Sequence, residues 1–534
     1  MIQFRGRAVR ASISRASVLA MSCVLLSTTA FAATPRPGWG KTHHAGAWEA
    51  PYRASGRDAI VSSTWTPLAT RFPGVAPETS LLMMNGTVIV HDSCTRRWYR
   101  LTPDAKGQYT TGSWSTIAAM PKGYAPLYFA SQVLPDGDII VNGGEYNGKI
   151  KGAPHAENCN PAWTTLGAWY NAKADRWVPV QPPQGWSTIG DASSVVLQSG
   201  TYMLADCCST NAALATITGR GAVTWTATGS GKYGSNDEEG WTLLPTGDVL
   251  TVDVGGGNST AELYDPSTGA WSMTATAPNP LSDPTSFEIG PAVLLPNNTV
   301  FQVGTDPCAN MGCPSHSATY DVTSATWTSG PDLPLVGLDY YTTEDAPAVV
   351  LPDGNVLVQM SPAYGCGSAF CSPSHFFEYN GSTWVQVSDP RQAPSDAAYE
   401  GRFLPLPTGQ ELWTSDLGDI EIYTPSGSPN EAWLPTITKV TGTIARGADT
   451  ELQGTQLTGV ADGGKYGDDA QMAEKYPIER ITNDSTGDVC FATTLKFSAT
   501  SSKFVLPDAC ETGASALEVV VNGISSAPAA ITVQ

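Results

Sequence analysis

The sequence predicts an all-β fold, a seven-bladed β-propeller followed by a small Ig-like β-sandwich. Three observations carry this expectation. A hairpin signal (an apolar run, a two-residue turn, a second β-rich run) occurs seven times. A tryptophan keeps step with it at the same period of about 50 residues. The composition, with Gly 53, Pro 40, Trp 16 and only 15% charged residues, is that of a turn-rich, aromatic-rich β protein.

In chain order, residues 1–32 read as an export signal. Arg5, Arg7, Arg10 and Arg15 supply the positive start, residues 18–30 an apolar run, and Ala30-Phe31-Ala32 a small-x-small cleavage pattern. No later stretch approaches the ~20 continuous apolar residues of a membrane span. The chain is therefore expected to be secreted, extracellular or periplasmic, and to act as a monomer.

The propeller is expected over 33–435. Its hairpin turns are Asn85-Gly86, Asp136-Gly137, Ser199-Gly200, Thr246-Gly247, Asn297-Asn298, Asp353-Gly354 and Thr408-Gly409. The accompanying tryptophans are Trp65, Trp114, Trp177, Trp225, Trp271, Trp327 and Trp384. Two independent markers at one period are the signature of kelch-type blades of four strands. Trp65 precedes the first hairpin, and the seventh has no tryptophan in phase, so the strand near 63–68 is expected to complete the last blade. Such closure removes exposed strand edges. A Pro-, Ser- and Asn-rich linker, 425–435, leads to the sandwich, 436–534. Short alternating runs recur there at 437–440, 451–457, 478–482, 489–493, 517–521 and 530–533.

Eleven cysteines, less Cys23 in the signal, leave an even set that reads as disulfides in an exported chain. Cys308–Cys313 and Cys366–Cys371 are each expected to close a short loop, and Cys490–Cys510 to staple the sandwich. Cys94, Cys159, Cys207 and Cys208 have three possible connectivities. Cys94–Cys159 with a vicinal Cys207–Cys208 bridge is favoured. The net charge of −20 argues against nucleic acid, because no basic patch is available to displace counterions from phosphates.

Val141-Asn142-Gly143-Gly144 after a second strand, and Leu263-Tyr264-Asp265-Pro266 running to Trp271, complete the blade pattern. With the domain order, they make the chain resemble the galactose oxidase and glyoxal oxidase superfamily. That resemblance implies a copper held by two tyrosines and two histidines, one tyrosine being crosslinked to a cysteine. Tyr128 stands at the crosslinked position, but Pro77-Glu78-Thr79-Ser80 occupies the place of its cysteine. Tyr399-Glu400 stands where the family has Tyr-His. No histidine follows His375, and the counterpart of the last ligand segment reads Tyr466-Gly467-Asp468-Asp469-Ala470-Gln471. Copper(II) favours imidazole over an all-oxygen shell, so copper is not expected.

What stands at that position instead is acidic. At or within one residue of eight before each turn lie Glu78, Asp191, Asp237-Glu238-Glu239, Glu288, Glu344-Asp345 and Glu400, with Tyr128 in the remaining blade. This is the start of the innermost strand, so six blades aim a carboxylate at one mouth of the centre. Crowded carboxylates raise one another's pKa or recruit a cation. Three uses follow: Ca²⁺ bound by these same oxygens, a general acid–base pair, or a site for a cationic ligand. Glu400, Glu238, Tyr128 and Tyr399 are the catalytic candidates. Glu78, Asp191, Asp237, Glu288, Glu344 and Asp345 are the ligand-binding candidates.

Antiparallel connectivity puts the loops after each second strand on that same face. They are the elaborated ones: 145–166 with His155, Cys159 and Trp163, then Cys207-Cys208, 306–317 and 361–374. Loop length on a rigid scaffold suggests a binding surface. Trp163, Tyr364 and Phe370 could stack on sugar rings. His91, His155, His316 and His375 lie on or near this face without metal-ligand spacing, and His43-His44 reads as an exposed pair. The leading expectation is recognition, with processing open, of an extracellular glycan or other small ligand. A copper-radical oxidase and a non-catalytic protein-interaction module are the alternatives.

Overall fold

Every one of the seven hairpin signals forms a hairpin; six belong to four-stranded antiparallel sheets, and the one at Asp353-Gly354 belongs to a larger sheet of seven strands. The structure is a computed structural model describing residues 63–149, 159–219, 221–255, 259–284, 286–305, 307–308, 313–363, 370–467 and 475–534. The expected export signal and His43-His44 lie outside these residues, as do His155, Tyr364, Cys366, Asp468, Asp469 and Gln471. Among the described residues, no helix is long and apolar enough to cross a membrane.

Blades 1 to 6 begin at Pro77–Leu82, Ala130–Val133, Ser194–Val196, Thr242–Leu243, Ala292–Leu295 and Ala348–Val350. Blade 7 comprises Gly401–Pro405, Glu411–Ser415 and Ile420–Thr424, completed by Thr64–Pro67. Trp65 there pairs with Tyr423, so the chain closes on itself as its repeat phase requires. Pro67, which lacks a donor, is tolerated because this strand is an edge. Inner strands bury both faces, as in Ala130–Val133 and Ile139–Asn142, while fourth strands such as Thr326–Ser329 are largely exposed. The result is an all-β propeller.

The tryptophan marker has two physical roles. In five blades it faces a tyrosine across the outer strand pair: Trp65–Tyr423, Trp177–Tyr170, Trp271–Tyr264, Trp327–Tyr320 and Trp384–Tyr379, with ring centroids 4.9 to 5.4 Å apart. Aromatic pairs of this kind are worth about 0.5–1.5 kcal/mol beyond area burial. Several indoles also tie neighbouring blades: Nε1 of Trp65, Trp114, Trp177 and Trp225 donates to the carbonyls of Ser388, Thr70, Ala118 and Gln181.

After the last blade, two sheets face each other as a β-sandwich. One runs Thr436–Val440, Asp449–Thr455, Ser501–Val505 and Thr493–Ser498 in spatial order. The other centres on Gly513–Val521, flanked by Ala529–Val533 and Ile478–Asn483. Leu452, Phe504, Ile481, Leu517 and Ile531 form the core between them. One segment leaves this sandwich: Gly464–Lys465 pairs with Ala348–Val350, the innermost strand of blade 6. That excursion positions the site described next.

Four of the five expected disulfides are formed: Cys94–Cys159, Cys207–Cys208, Cys308–Cys313 and Cys490–Cys510. Cys371 is also disulfide-bonded, while its expected partner Cys366 lies outside the described residues.

Candidate functional site

Tyr128 lies two residues before the innermost strand of blade 2, with φ +47°. A non-glycine residue in this region is uncommon and marks a position fixed by its surroundings. Its ring packs on the Cys94–Cys159 bridge and lies 6.0 Å from that of Tyr146. Burial holds its phenol well above the usual range, and Tyr399, Tyr466, Glu78 and Asp416 push it further in that direction. Those four groups identify the neighbourhood.

At the centre of that neighbourhood is Arg402, which is buried. Its Nη1 donates to the carbonyls of Tyr399 at 2.6 Å and Gly401 at 2.7 Å. Nη2 donates to Glu78 Oε1 at 2.8 Å. The guanidinium lies 3.4 Å from the centroid of the Tyr466 ring and 5.5 Å from that of Tyr128. Tyr466 Oη also donates to the Tyr399 carbonyl at 2.9 Å. Phe370 packs edge-on against Tyr399, with centroids 5.2 Å apart. Two tyrosine rings, from blade 2 and the sandwich excursion, and the backbone carbonyl of Tyr399 in blade 7 thus meet at one arginine.

Four acids lie in this neighbourhood: Glu78 bonds the arginine, and Asp416 feels the charge of Arg402, Glu400, Glu78 and Asp396. Glu78 sits where the innermost strand of blade 1 shifts register, a bulge that can re-aim a side chain. Burial pushes it up to about 7 against the pull of Arg402. Asp396 is pushed up to about 8 by burial, then by Glu400 and Asp419. Asp416 is raised well above the ordinary range by burial, then by Glu400, Glu78 and Asp396. Glu400 turns back on its own chain, its Oε2 accepting from the Ala397 amide at 2.7 Å.

A second carboxylate group adjoins the sandwich excursion. Oxygens of Glu238, Glu288 and Asp345 all fall within 4.8 Å of one another. Gly467, the residue after Tyr466, touches this group. A Cβ there would meet Asp345 Cα at 2.7 Å and the Ile289 carbonyl at 2.8 Å, so only glycine fits. Asp191 joins through Tyr146, whose phenol is raised by burial, then Glu145, Asp191 and Glu238.

The carboxylates predicted at one mouth therefore divide. Glu78 and Glu400 stand with Tyr128 and Tyr399 around Arg402, while Glu238, Glu288 and Asp345 form the second group. Asp237 belongs to neither, because its carboxylate lies beside the vicinal Cys207–Cys208 pair. Glu344 is buried. Glu239 is paired in the blade with Lys232, which also bonds Glu262 at 2.5 Å. Trp163 is half-buried in its loop with φ +38°. Relief of the crowded charge was expected from raised pKa values or a bound cation; near Glu78 the side chain of Arg402 supplies part of it.

Arg402, Asp396, Asp416 and the packing of Tyr466 escaped the sequence reading. Glu400 ends a 3-10 turn, Ala398–Glu400, and Arg402 lies on the strand Gly401–Pro405 that follows, so no strand alternation links the two.

The residues present do not fit the copper centre of the resembling superfamily. His91 is buried beside Trp98 and Phe129 with Nε2 on the Thr95 carbonyl. His316 and His375 each pair through Nδ1 with an aspartate, Asp332 and Asp389, at 2.7 Å. Cys94 is held in a disulfide. The donor set around Tyr128 is thus phenol, carboxylate and guanidinium.

No protein-family model and no curated protein matches the sequence. Among solved structures, a fungal alcohol oxidase of the AA5 family in complex with copper is similar at 14% identity and TM-score 0.47. That match covers 88% of this chain and 99% of the oxidase. A virginiamycin B lyase from Staphylococcus aureus with quinupristin is similar at 9% identity and TM-score 0.44, covering 68% and 99%. The extracellular domain of a hybrid two-component system from B. thetaiotaomicron is similar at 8% identity and TM-score 0.41. Here the coverage is 90% of this chain and 59% of that one. At such identities chemistry is not carried across, and the site rests on this chain's own residues.

Proposed function

We propose that the chain binds an extracellular glycan at the tyrosine- and carboxylate-lined centre of its loop-bearing face. On this reading residues 1–32 direct export, 33–435 are the propeller, and 436–534 an Ig-like sandwich that lends Tyr466 to the site. The observation that carries the proposal is the convergence of Tyr128, Tyr399 and Tyr466 on Arg402, beside Glu238, Glu288 and Asp345.

The chemistry suits a polyhydroxylated ligand. Tyrosine rings offer flat apolar faces for the C–H side of a pyranose, and their hydroxyls can donate or accept. Carboxylates accept from sugar hydroxyls and favour any cationic substituent. A pocket of this kind orients a ligand with few polar groups fixed by a rigid frame. Here the frame is three innermost strands and a paired excursion.

A panel of neutral, acidic and basic oligosaccharides, screened on an array and followed by calorimetry, tests the proposal. Tyr466→Ala and Glu238→Gln should each weaken the bound glycan by about tenfold or more, a loss of ~1.4 kcal/mol. Binding of no glycan, or binding indifferent to both substitutions, would overturn it. Release of shortened sugars on incubation would extend recognition to processing, with Glu238, Glu400, Tyr128 and Tyr399 as the candidates.

A further inference from the structure

Away from the tyrosine centre, Cys207 and Cys208 follow Tyr202–Ala205 in blade 3, while Asp237 lies in the stretch leading to blade 4. Both sulfurs and a carboxylate oxygen of Asp237 lie within 4.8 Å of one another. The two segments are clamped by Asn236, which is buried. Its side-chain amide donates to the carbonyls of Asp206, Ser209 and Asn211 at 3.3, 2.9 and 3.0 Å. Its backbone N–H donates to the Ser209 carbonyl at 2.8 Å. On the other side the Cys207 N–H donates to the Ile189 carbonyl at 3.1 Å. Gly190 leaves room for the sulfur, since a Cβ there would stand 2.5 Å from Cys207 Sγ. The juxtaposition is held by backbone and amide bonds that do not depend on the sulfur–sulfur bond.

We propose that reduction of the Cys207–Cys208 disulfide turns this loop into a site for one thiophilic divalent cation, held by two thiolates and the Asp237 carboxylate. In the oxidised form the sulfurs are uncharged and poor ligands. A dithiol reductant supplies two electrons and two protons, cleaving the bond to two thiols while becoming a disulfide itself. The cation then displaces both thiol protons. Two thiolates and one carboxylate suit zinc or cadmium in tetrahedral geometry, with a fourth position open to water or ligand.

This bridge is also the one whose loss the fold should tolerate best. Disulfide stabilisation grows with the length of loop closed, and these residues are adjacent, whereas Cys94–Cys159 spans a separation of 65. Cys208 is partly exposed, while Cys94, Cys159 and Cys510 are buried.

The test uses the mature chain, treated briefly with a dithiol, desalted without oxygen and titrated with Cd²⁺. Mass spectrometry of alkylated peptides reports the state of the pair, and ultraviolet thiolate-to-cadmium absorption reports binding. The thiolate-to-cadmium band should saturate at one equivalent in the reduced protein and be absent in the oxidised. Asp237→Asn should weaken affinity by more than about tenfold, the loss seen when even supporting groups of metal sites are removed. Cys207→Ala/Cys208→Ala should lose the band, and the near-isosteric Cys208→Ser should do the same if the double variant does not fold. A reduced pair without the band, the same band in these variants, or unchanged affinity in Asp237→Asn would each refute the site.

Discussion

At the scale of single residues, the acids near Arg402 are predicted to differ in how far the arginine offsets their burial. Burial outweighs the pull of Arg402 on Glu78, which bonds it directly, so Glu78→Gln should gain less stability at pH 8 than the same change at Asp416. Asp416 adds charge that burial and its acidic neighbours disfavour. Asp416→Asn should therefore stabilise by about 1 kcal/mol at pH 8, in the range found when a site is relieved of unfavourable charge. Because the native aspartate is raised, it carries less charge at pH 5, and the gain should shrink there. Chemical denaturation of both variants at the two pH values checks this. The sequence revealed Glu78 and Glu400 by their fixed distance from each turn, but it revealed neither Asp396 and Asp416 nor the counter-ion. Arg402 reaches Glu78 across the seam between the last and first blades, 324 positions apart in sequence, and no local pattern marks so distant a partner.

At the scale of elements, the Thr64–Pro67 strand illustrates what periodicity can establish. Trp65 was out of phase with the first hairpin, and that alone assigned it to blade 7, where it pairs with Tyr423. Its ring also meets Phe376 and Trp413. Trp65→Ala should cost about 3 kcal/mol, the lower end for removing a large aromatic. Trp114→Ala should cost less, because Trp114 faces Leu101 instead of a tyrosine. Melting both variants side by side would show whether the closing strand is as well anchored as this packing implies. Other elements were not legible. Ser501–Val505 reads Ser-Ser-Lys-Phe-Val, too polar at its start to signal a strand, yet it pairs centrally in its sheet. Gly464–Lys465 is only two residues in a glycine-rich stretch, and its pairing with blade 6 is set by tertiary contact. Tyr466 reached the site by that route, so its place could not be read from spacing.

At the scale of the whole molecule, many small titration shifts add up to a pH dependence whose sign can be worked out. Burial pushes Asp138 up to about 6, Glu78 and Glu479 to about 7, and Asp396 to about 8. Asp416 and Glu239 are raised as well, again chiefly by burial. A carboxyl whose folded pKa exceeds its unfolded value binds its proton more tightly in the folded chain. Stability from such a group is fully present below the unfolded pKa and falls as pH rises to the folded one. His91 opposes this. Burial lowers it to about 4, so between there and 6.5 the unfolded chain binds the extra proton and stability rises with pH. Six raised carboxyls outweigh one lowered imidazole. Below about pH 4 the balance reverses, because Asp104, Asp265, Asp321 and Asp462 are held low by hydrogen bonds or lysines and lose that support on protonation. Thermal unfolding across pH 3 to 9 should thus peak near pH ~5 and decline toward pH 8, levelling off beyond. A maximum at pH 8 would mean that the buried acids are ionised and paired, and that Arg402 is not their main compensating charge. Asp416→Asn together with Asp396→Asn should flatten the decline without moving the acid limb, because neither residue titrates there.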